Sequence, residues 1–173
     1  MNDVINCILS RRSVKAYSSR PVEEEKLEKI LLAGTYAANG RGLQSPRILV
    51  LQDPADVRLL ERMNAAVLGN ETARPFYGAQ TVCVVLAAAD CPTAVEDGAL
   101  VIGNLMLAAH SLGVSSCWVH RAREEFASEA GKALLKKWGV EGDWIGIGHC
   151  LLGYAAAAPR EAAPRKADYI VRV

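Results

Sequence analysis

The stretch GALVIGNLMLAAHSLGVSSCWV, residues 98–119, holds no Asp, Glu, Lys or Arg, and it is long enough to cross a bilayer. Its reading decides the fold. Gly98, Gly103, Asn104, His110, Ser111, Gly113, Ser115 and Ser116 interrupt the apolar run. A buried core helix followed by a strand suits such a mixture better than a membrane span. The spacing predicts a long helix over Glu96 to Leu112, a stop at Gly113 and a short strand over Ser115 to His120.

Working outward, TVCVVLAAA at residues 81–89 is apolar on both alternating faces, so it is expected at the centre of a sheet. Trp144 to Tyr154 reads as another apolar strand and Glu124 to Trp138 as one amphipathic helix. Towards the N-terminus, Ile48 to Leu51 is a strand, and Asp53-Pro54 reads as N-cap and first position of a helix reaching Leu68. A helix after Pro21 opens on Glu23, Glu24 and Glu25, with Leu27, Ile30, Leu31 and Gly34 on its inner face. Val4, Ile5, Ile8 and Leu9 mark a first helix running into Arg11-Arg12-Ser13. Helices interleaved with apolar strands combine α with β structure. After the last strand, AAAAPREAAP (155–164) forms a linker, followed by alternating Tyr169 to Val173. A hairpin would need far fewer residues. The tail is therefore expected to be an arm reaching a distant sheet edge, in its own subunit or a partner's.

The 173 residues fit one domain, 1–173, with 155–173 as the arm. A 51% apolar and 23% charged composition is globular, and a net charge of +1 gives no global field for nucleic acid. Five cysteines, an odd number without CxxC, argue against a disulfide framework and for a reducing compartment. The start, MNDVINCILSRRS, has the wrong charge order for a signal peptide, so a cytoplasmic location is expected.

Positive charge clusters at Arg11, Arg12 and Lys15, with Ser13 among them. Guanidinium groups and a hydroxyl suit a phosphate; the competing reading is a solvated helix end where cations meet the dipole. Arg165-Lys166 is a second basic pair. Cys117 with His120, and His149 with Cys150, make poor metal sites, because neighbours along a strand face opposite ways. No metal is expected. GxSxG, GxGxxG and GxxxxGK[ST] are all missing, so hydrolase, Rossmann and P-loop chemistry are disfavoured. His110, among Leu107, Ala108 and Leu112, reads as a satisfied core histidine.

RRSVKAYSSRPV (11–22), GLQSP (42–46), FYGAQTVCVVLAA (76–88), EDGALVIGNLMLAAHSLGVSSCWVHR (96–121) and IGHCLLGY (147–154) with the late basic pair together resemble the flavin-dependent nitroreductase family. The resemblance implies an α+β sandwich with a mostly antiparallel sheet flanked by helices, a homodimer with FMN at its interface, and exchanged C-terminal arms. It implies that Arg11, Arg12 and Ser13 meet the phosphate and ribityl end, with Arg165 and Lys166 also at the phosphate. Lys15 would face the flavin's pyrimidine edge, an electrostatic role. Trp118, Val119, His120 and Arg121 would pass the central ring, acting through main chain near His120 and Arg121. Asn39, Gly40 and Gln44 lie in the loop that meets the partner's flavin in the family. Gly42 stands where the family has asparagine, and His120-Arg121 replaces a small or acidic pair.

The implied activity is hydride transfer from NADH or NADPH, then reduction of electron-poor acceptors such as nitroaromatics or quinones, in a ping-pong cycle. The cofactor performs the chemistry, so no acid–base or nucleophile set is expected; His120 is a proton-donor candidate. The alternative is a flavin-binding carrier or sensor without efficient NAD(P)H turnover.

Overall fold

Four strands, β1 (Pro46–Leu51), β2 (Thr81–Ala88), β3 (Ser115–Val119) and β4 (Trp144–Gly153), form one sheet in the order β1-β2-β4-β3, with every neighbouring pair antiparallel. The computed structural model describes residues 2–173. Around the sheet lie α1 (Asp3–Ser10), α2 (Glu24–Thr35), α3 (Pro54–Val67), α4 (Ala94–Ser111), α5 (Ala122–Ala127) and α6 (Glu129–Lys137).

Alternation along β2 sorts the core. Val82, Val84 and Leu86 pack with Val57 and Leu60 of α3, Phe126 of α5 and Leu134 of α6. Cys83, Val85 and Ala87 pack with Leu27 and Ile30 of α2 and Ile102 and Leu105 of α4. Both faces of β2 are thus covered, which is why its sequence is apolar throughout. The uncharged stretch is the core helix and strand expected from it. α4 lies so close on β4 that a Cβ at Gly98 would stand 2.5 Å from Ile147 Cγ1. Gly113 ends the helix region with φ +72°, a conformation that favours glycine. Asp53 caps α3 by accepting from the Ala55 and Asp56 N–H groups.

One expectation fails. The amphipathic segment after β3 is two helices, because Ser128 leaves helical geometry (φ −72°, ψ 154°) and its Oγ caps α6 at the Gly131 N–H. The amphipathic spacing continues through the break, so periodicity alone joins the pieces. Close packing forces the separation: a Cβ at Gly131 would lie 2.0 Å from the Glu125 carbonyl oxygen.

The segment after α1 threads the sheet's β3 side. Val14 donates its N–H to Ser116 O at 3.0 Å, Ser18 to Tyr154 O at 2.8 Å, and Ala156 returns a bond to Ala16 O at 2.9 Å. This pins Arg11 to Lys15 beside the start of β3. Among the described residues no helix is long and apolar enough to cross a membrane.

Candidate functional site

The end of α1 and the start of β3 enclose a cavity of about 140 Å³ lined by Ser10, Arg11, Arg12, His110, Ser116 and Pro159, among others. Two of its polar atoms are buried without a hydrogen-bond partner among the described residues: Arg11 Nη1 and Ser116 Oγ. A buried guanidinium donor left unpaired costs about 1–3 kcal/mol, a cost that an anion bound here would relieve. Arg12 is divided in its use. Its Nη1 donates to Leu9 O (2.7 Å) and Arg11 O (2.8 Å), closing the end of α1 as the helix-dipole reading anticipates, while the residue still lines the cavity.

Ser13 and Lys15 open onto an adjoining cavity of about 300 Å³ shared with Ala157 to Arg160 of the tail. Lys15 Nζ stands 5.9 Å from the Tyr77 ring centroid. Arg160, which sequence reading passed over, reaches this wall. Arg165 and Lys166 do not join it; they lie exposed, with Arg165 Nη2 donating to Ala163 O. Burial raises the Cys117 thiol against the opposing pull of Lys15, Ser13 and Arg11, and burial holds Cys150 well above the ordinary thiol range. These thiols are protonated members of the apolar core, not nucleophiles.

The far end of β3 is organised differently. Trp118, half-buried and with its Nε1 unpartnered among the described residues, packs against the α2–α4 core, and Val119 packs against the opposite one. His120 is exposed. Arg121 takes φ +83°, a left-handed conformation held by Asn64: Arg121 Nε donates to Asn64 Oδ1 at 3.0 Å, and Asn64 Nδ2 donates to His120 O at 2.8 Å. Asn64 also donates to Glu125, whose other oxygen is 2.7 Å from His149 Nε2. Asn64 and His149 are fully buried and Glu125 is 1% exposed. This network escaped sequence reading. Its one visible signal was a histidine inside the apolar run of β4.

Asn39, Gly40 and Gln44 sit at the opposite edge. Asn39 Oδ1 accepts from the Gln44 N–H at 2.9 Å, and the Gly40 N–H donates to buried Asp97 at 2.9 Å. Asn39 and Gln44 line a groove of about 440 Å³ along β1 with Leu31, Ile48 and Val50. Three inter-strand steps of ~4.8 Å put β1 about 14 Å from β3. One chain therefore brings Arg11, Arg12, Ser13 and Lys15 together and keeps the 39–44 loop apart from them.

An antiparallel sheet between helical layers, with a small arginine-lined cavity beside an edge strand, defines an α+β sandwich protein. The chain belongs to the nitroreductase family, whose model matches residues 8–83 and 70–154. A nitroreductase with bound FMN from Bacteroides fragilis shares 30% identity and a TM-score of 0.92, each chain covered completely. A second FMN-bound nitroreductase, from Desulfitobacterium hafniense, has a TM-score of 0.90 at 24% identity, covering 100% of this chain and 99% of its own. A relative from Archaeoglobus fulgidus, whose provisional name joins NADH dehydrogenase with NAD(P)H nitroreductase, is 28% identical over 156 residues, 89% of this chain and 86% of its own.

Proposed function

We propose that the chain is an FMN-dependent oxidoreductase that takes hydride from NADH or NADPH and reduces electron-poor acceptors such as nitroaromatics or quinones by a ping-pong mechanism. The observation that carries the reading is the pair of unpartnered buried atoms, Arg11 Nη1 and Ser116 Oγ, on two residues that line one small cavity. A phosphate ester answers both: its oxygens accept from a guanidinium and from a hydroxyl. The FMN of the Bacteroides fragilis relative, 30% identical over the full length, supplies the ligand class.

When bound, FMN supplies the two-electron chemistry. Arg11 holds its phosphate, aided by Ser116, Ser13 and the free nitrogens of Arg12. Lys15 provides a fixed cation for the pyrimidine edge, which gains negative charge on reduction. From Ser116 to His120 the strand advances about 13 Å at ~3.3 Å per residue, so the strand end with its Asn64-fixed turn addresses the part of the cofactor remote from the phosphate. There the main chain of His120 and Arg121 would hold the ring, and the exposed His120 imidazole would be the candidate to hand a proton to a reduced acceptor. Arg165 and Lys166 of the exposed tail would be the second basic pair to hold the phosphate.

The working unit in this reading is a homodimer. Val4, Ile5, Ile8 and Leu9 of α1 and Leu100 of α4 are 42–66% exposed, and Tyr169, Ile170 and Val171 of the arm are at least 75% exposed. Such surface calls for a partner. β1 presents an unpaired sheet edge beside an apolar groove, and the alternating arm, unpaired in its own chain, is a strand to fill it. Residues 1–173 then act as one domain with 155–173 as the exchanged arm. Free cysteines suit a cytoplasmic setting.

The test is the visible spectrum of the purified protein, repeated anaerobically with NADH and then NADPH. Bleaching of bound flavin within seconds supports the enzyme. Flavin that stays oxidised favours a carrier or sensor, and no flavin uptake overturns the reading.

A further inference from the structure

The peptide between His120 and Arg121 is held in a geometry that its residues disfavour. Arg121 takes φ +83° and ψ 2°, a left-handed conformation that suits glycine and strains a residue carrying a Cβ. One side chain braces it from both ends. Asn64 Nδ2 donates to His120 O at 2.8 Å, and Asn64 Oδ1 accepts from Arg121 Nε at 3.0 Å. The amide is itself fixed. Asn64 is fully buried, and the second proton of Nδ2 goes to Glu125 Oε1, so both of its donors are spent. Glu125 is anchored in turn, its Oε2 lying 2.7 Å from His149 Nε2. Phe76 and Phe126 pack the imidazole, at ring-centroid distances of 5.3 and 6.4 Å. Three elements remote in sequence, α3, α5 and β4, thus converge on one peptide bond.

The brace has a directional consequence. In a trans peptide the C=O and N–H share a plane and point opposite ways. With His120 O turned to the buried amide, the Arg121 N–H is directed away from it, and that N–H has no partner among the described residues. The following residue is pinned as well, because a Cβ at Gly146 of β4 would stand 2.1 Å from Ala122 O. We infer that Asn64 is a positioning residue for the cofactor. It acts through the peptide and not by contact, aiming the Arg121 main-chain donor at the flavin ring by holding a left-handed turn at an arginine. The inference rests on the FMN reading above.

The experiment is a double-mutant cycle of Asn64→Ala and Arg121→Gly. Flavin-free protein is titrated with FMN and, separately, with riboflavin, followed by quenching of flavin fluorescence. Glycine retains the main-chain N–H and takes the left-handed turn without strain. Asn64→Ala alone should weaken FMN and riboflavin by the same factor, about threefold to tenfold, the worth of one hydrogen bond. In the Arg121→Gly background the same substitution should weaken either flavin by less than about twofold. Stability to urea should fall in both backgrounds, since the His120 carbonyl and Glu125 lose the amide in each. An amide that served folding alone would show no recovery of affinity with glycine. If Asn64→Ala does not fold, Asn64→Ser takes its place in the cycle. An equal loss of affinity in both backgrounds, no loss in either, or a loss confined to FMN overturns the inference and leaves the FMN reading standing. No FMN uptake by wild type overturns the FMN reading and the inference with it.

Discussion

Replacing Arg11 by alanine should push two measurable quantities in opposite directions. Arg11 Nη1 is buried without a partner beside Ser116 Oγ, itself unpaired on a residue 2% exposed. In the flavin-free protein, deleting the guanidinium removes an unsatisfied buried donor worth about 1–3 kcal/mol of destabilisation, offset by lost packing of the aliphatic stem. Stability to urea should hold or rise. In the holoprotein, the same change deletes a charge-assisted bond to phosphate worth about 1.5–3 kcal/mol, so the FMN dissociation constant should rise about 10- to 150-fold. Riboflavin affinity should move far less. The pair of measurements is fluorescence titration with FMN and riboflavin, and urea unfolding of the flavin-free protein. An FMN constant within twofold of wild type, or a flavin-free protein clearly weaker than wild type, would refute the argument that the orphaned donor exists for phosphate.

Deleting residues 165–173 should abolish dimerisation and FMN retention together, read by sedimentation; a truncated protein that remains a yellow dimer contradicts the exchanged arm. Asn64→Leu strands the His120 carbonyl, Arg121 Nε and one oxygen of Glu125. It should cost about 3 kcal/mol in urea unfolding, and a loss below about 1 kcal/mol would show that water replaces the amide. The Glu23 carboxyl is held down to about 2 by the Tyr154 hydroxyl, its own backbone and Arg20, against an ordinary value of 4.5. Because the folded value is the lower one, its contribution is complete above about pH 4.5 and is lost as the pH falls towards 2. Glu23→Gln should flatten the acid unfolding profile over that window.

The layers were legible because periodicity reports burial. The inner face of α2 at Leu27, Ile30 and Gly34, the cap at Asp53 and the central strand β2 all follow from spacing and local chemistry. The break at Ser128 was hidden, since a serine on an amphipathic run looks like any other polar position until α6 packs against α5. The buried chain Asn64–Glu125–His149 joins three elements far apart in sequence, and a pattern along one element cannot register a bond between elements. Within the site, the sequence displayed the cluster of arginines. It did not display how they divide: Arg11 keeps a buried nitrogen unpaired, while Arg12 folds back on the Leu9 and Arg11 carbonyls. His110 was misjudged for the same reason, because its partner Ser10 lies 100 residues away.

The separation of the two predicted ligand sets has a consequence that a mixing experiment can read. Arg11, Arg12, Ser13 and Lys15 flank β3, and Asn39, Gly40 and Gln44 flank β1, about 14 Å across the sheet. If both sets serve one cofactor, the second must come from another copy of the chain. Combine Arg11→Ala subunits with subunits carrying Asn39→Ala, which removes the acceptor that shapes the loop at Gln44. Each homodimer then has two defective sites. A mixed dimer with shared sites concentrates both defects in one and leaves the other intact. With random exchange of equal amounts, half the dimers are mixed, so about a quarter of all sites should regain wild-type FMN affinity. Sites built within single chains would regain none. Recovery of tight FMN binding on mixing therefore separates the two architectures, and its absence, with exchange verified by mass labelling, rules out the shared site.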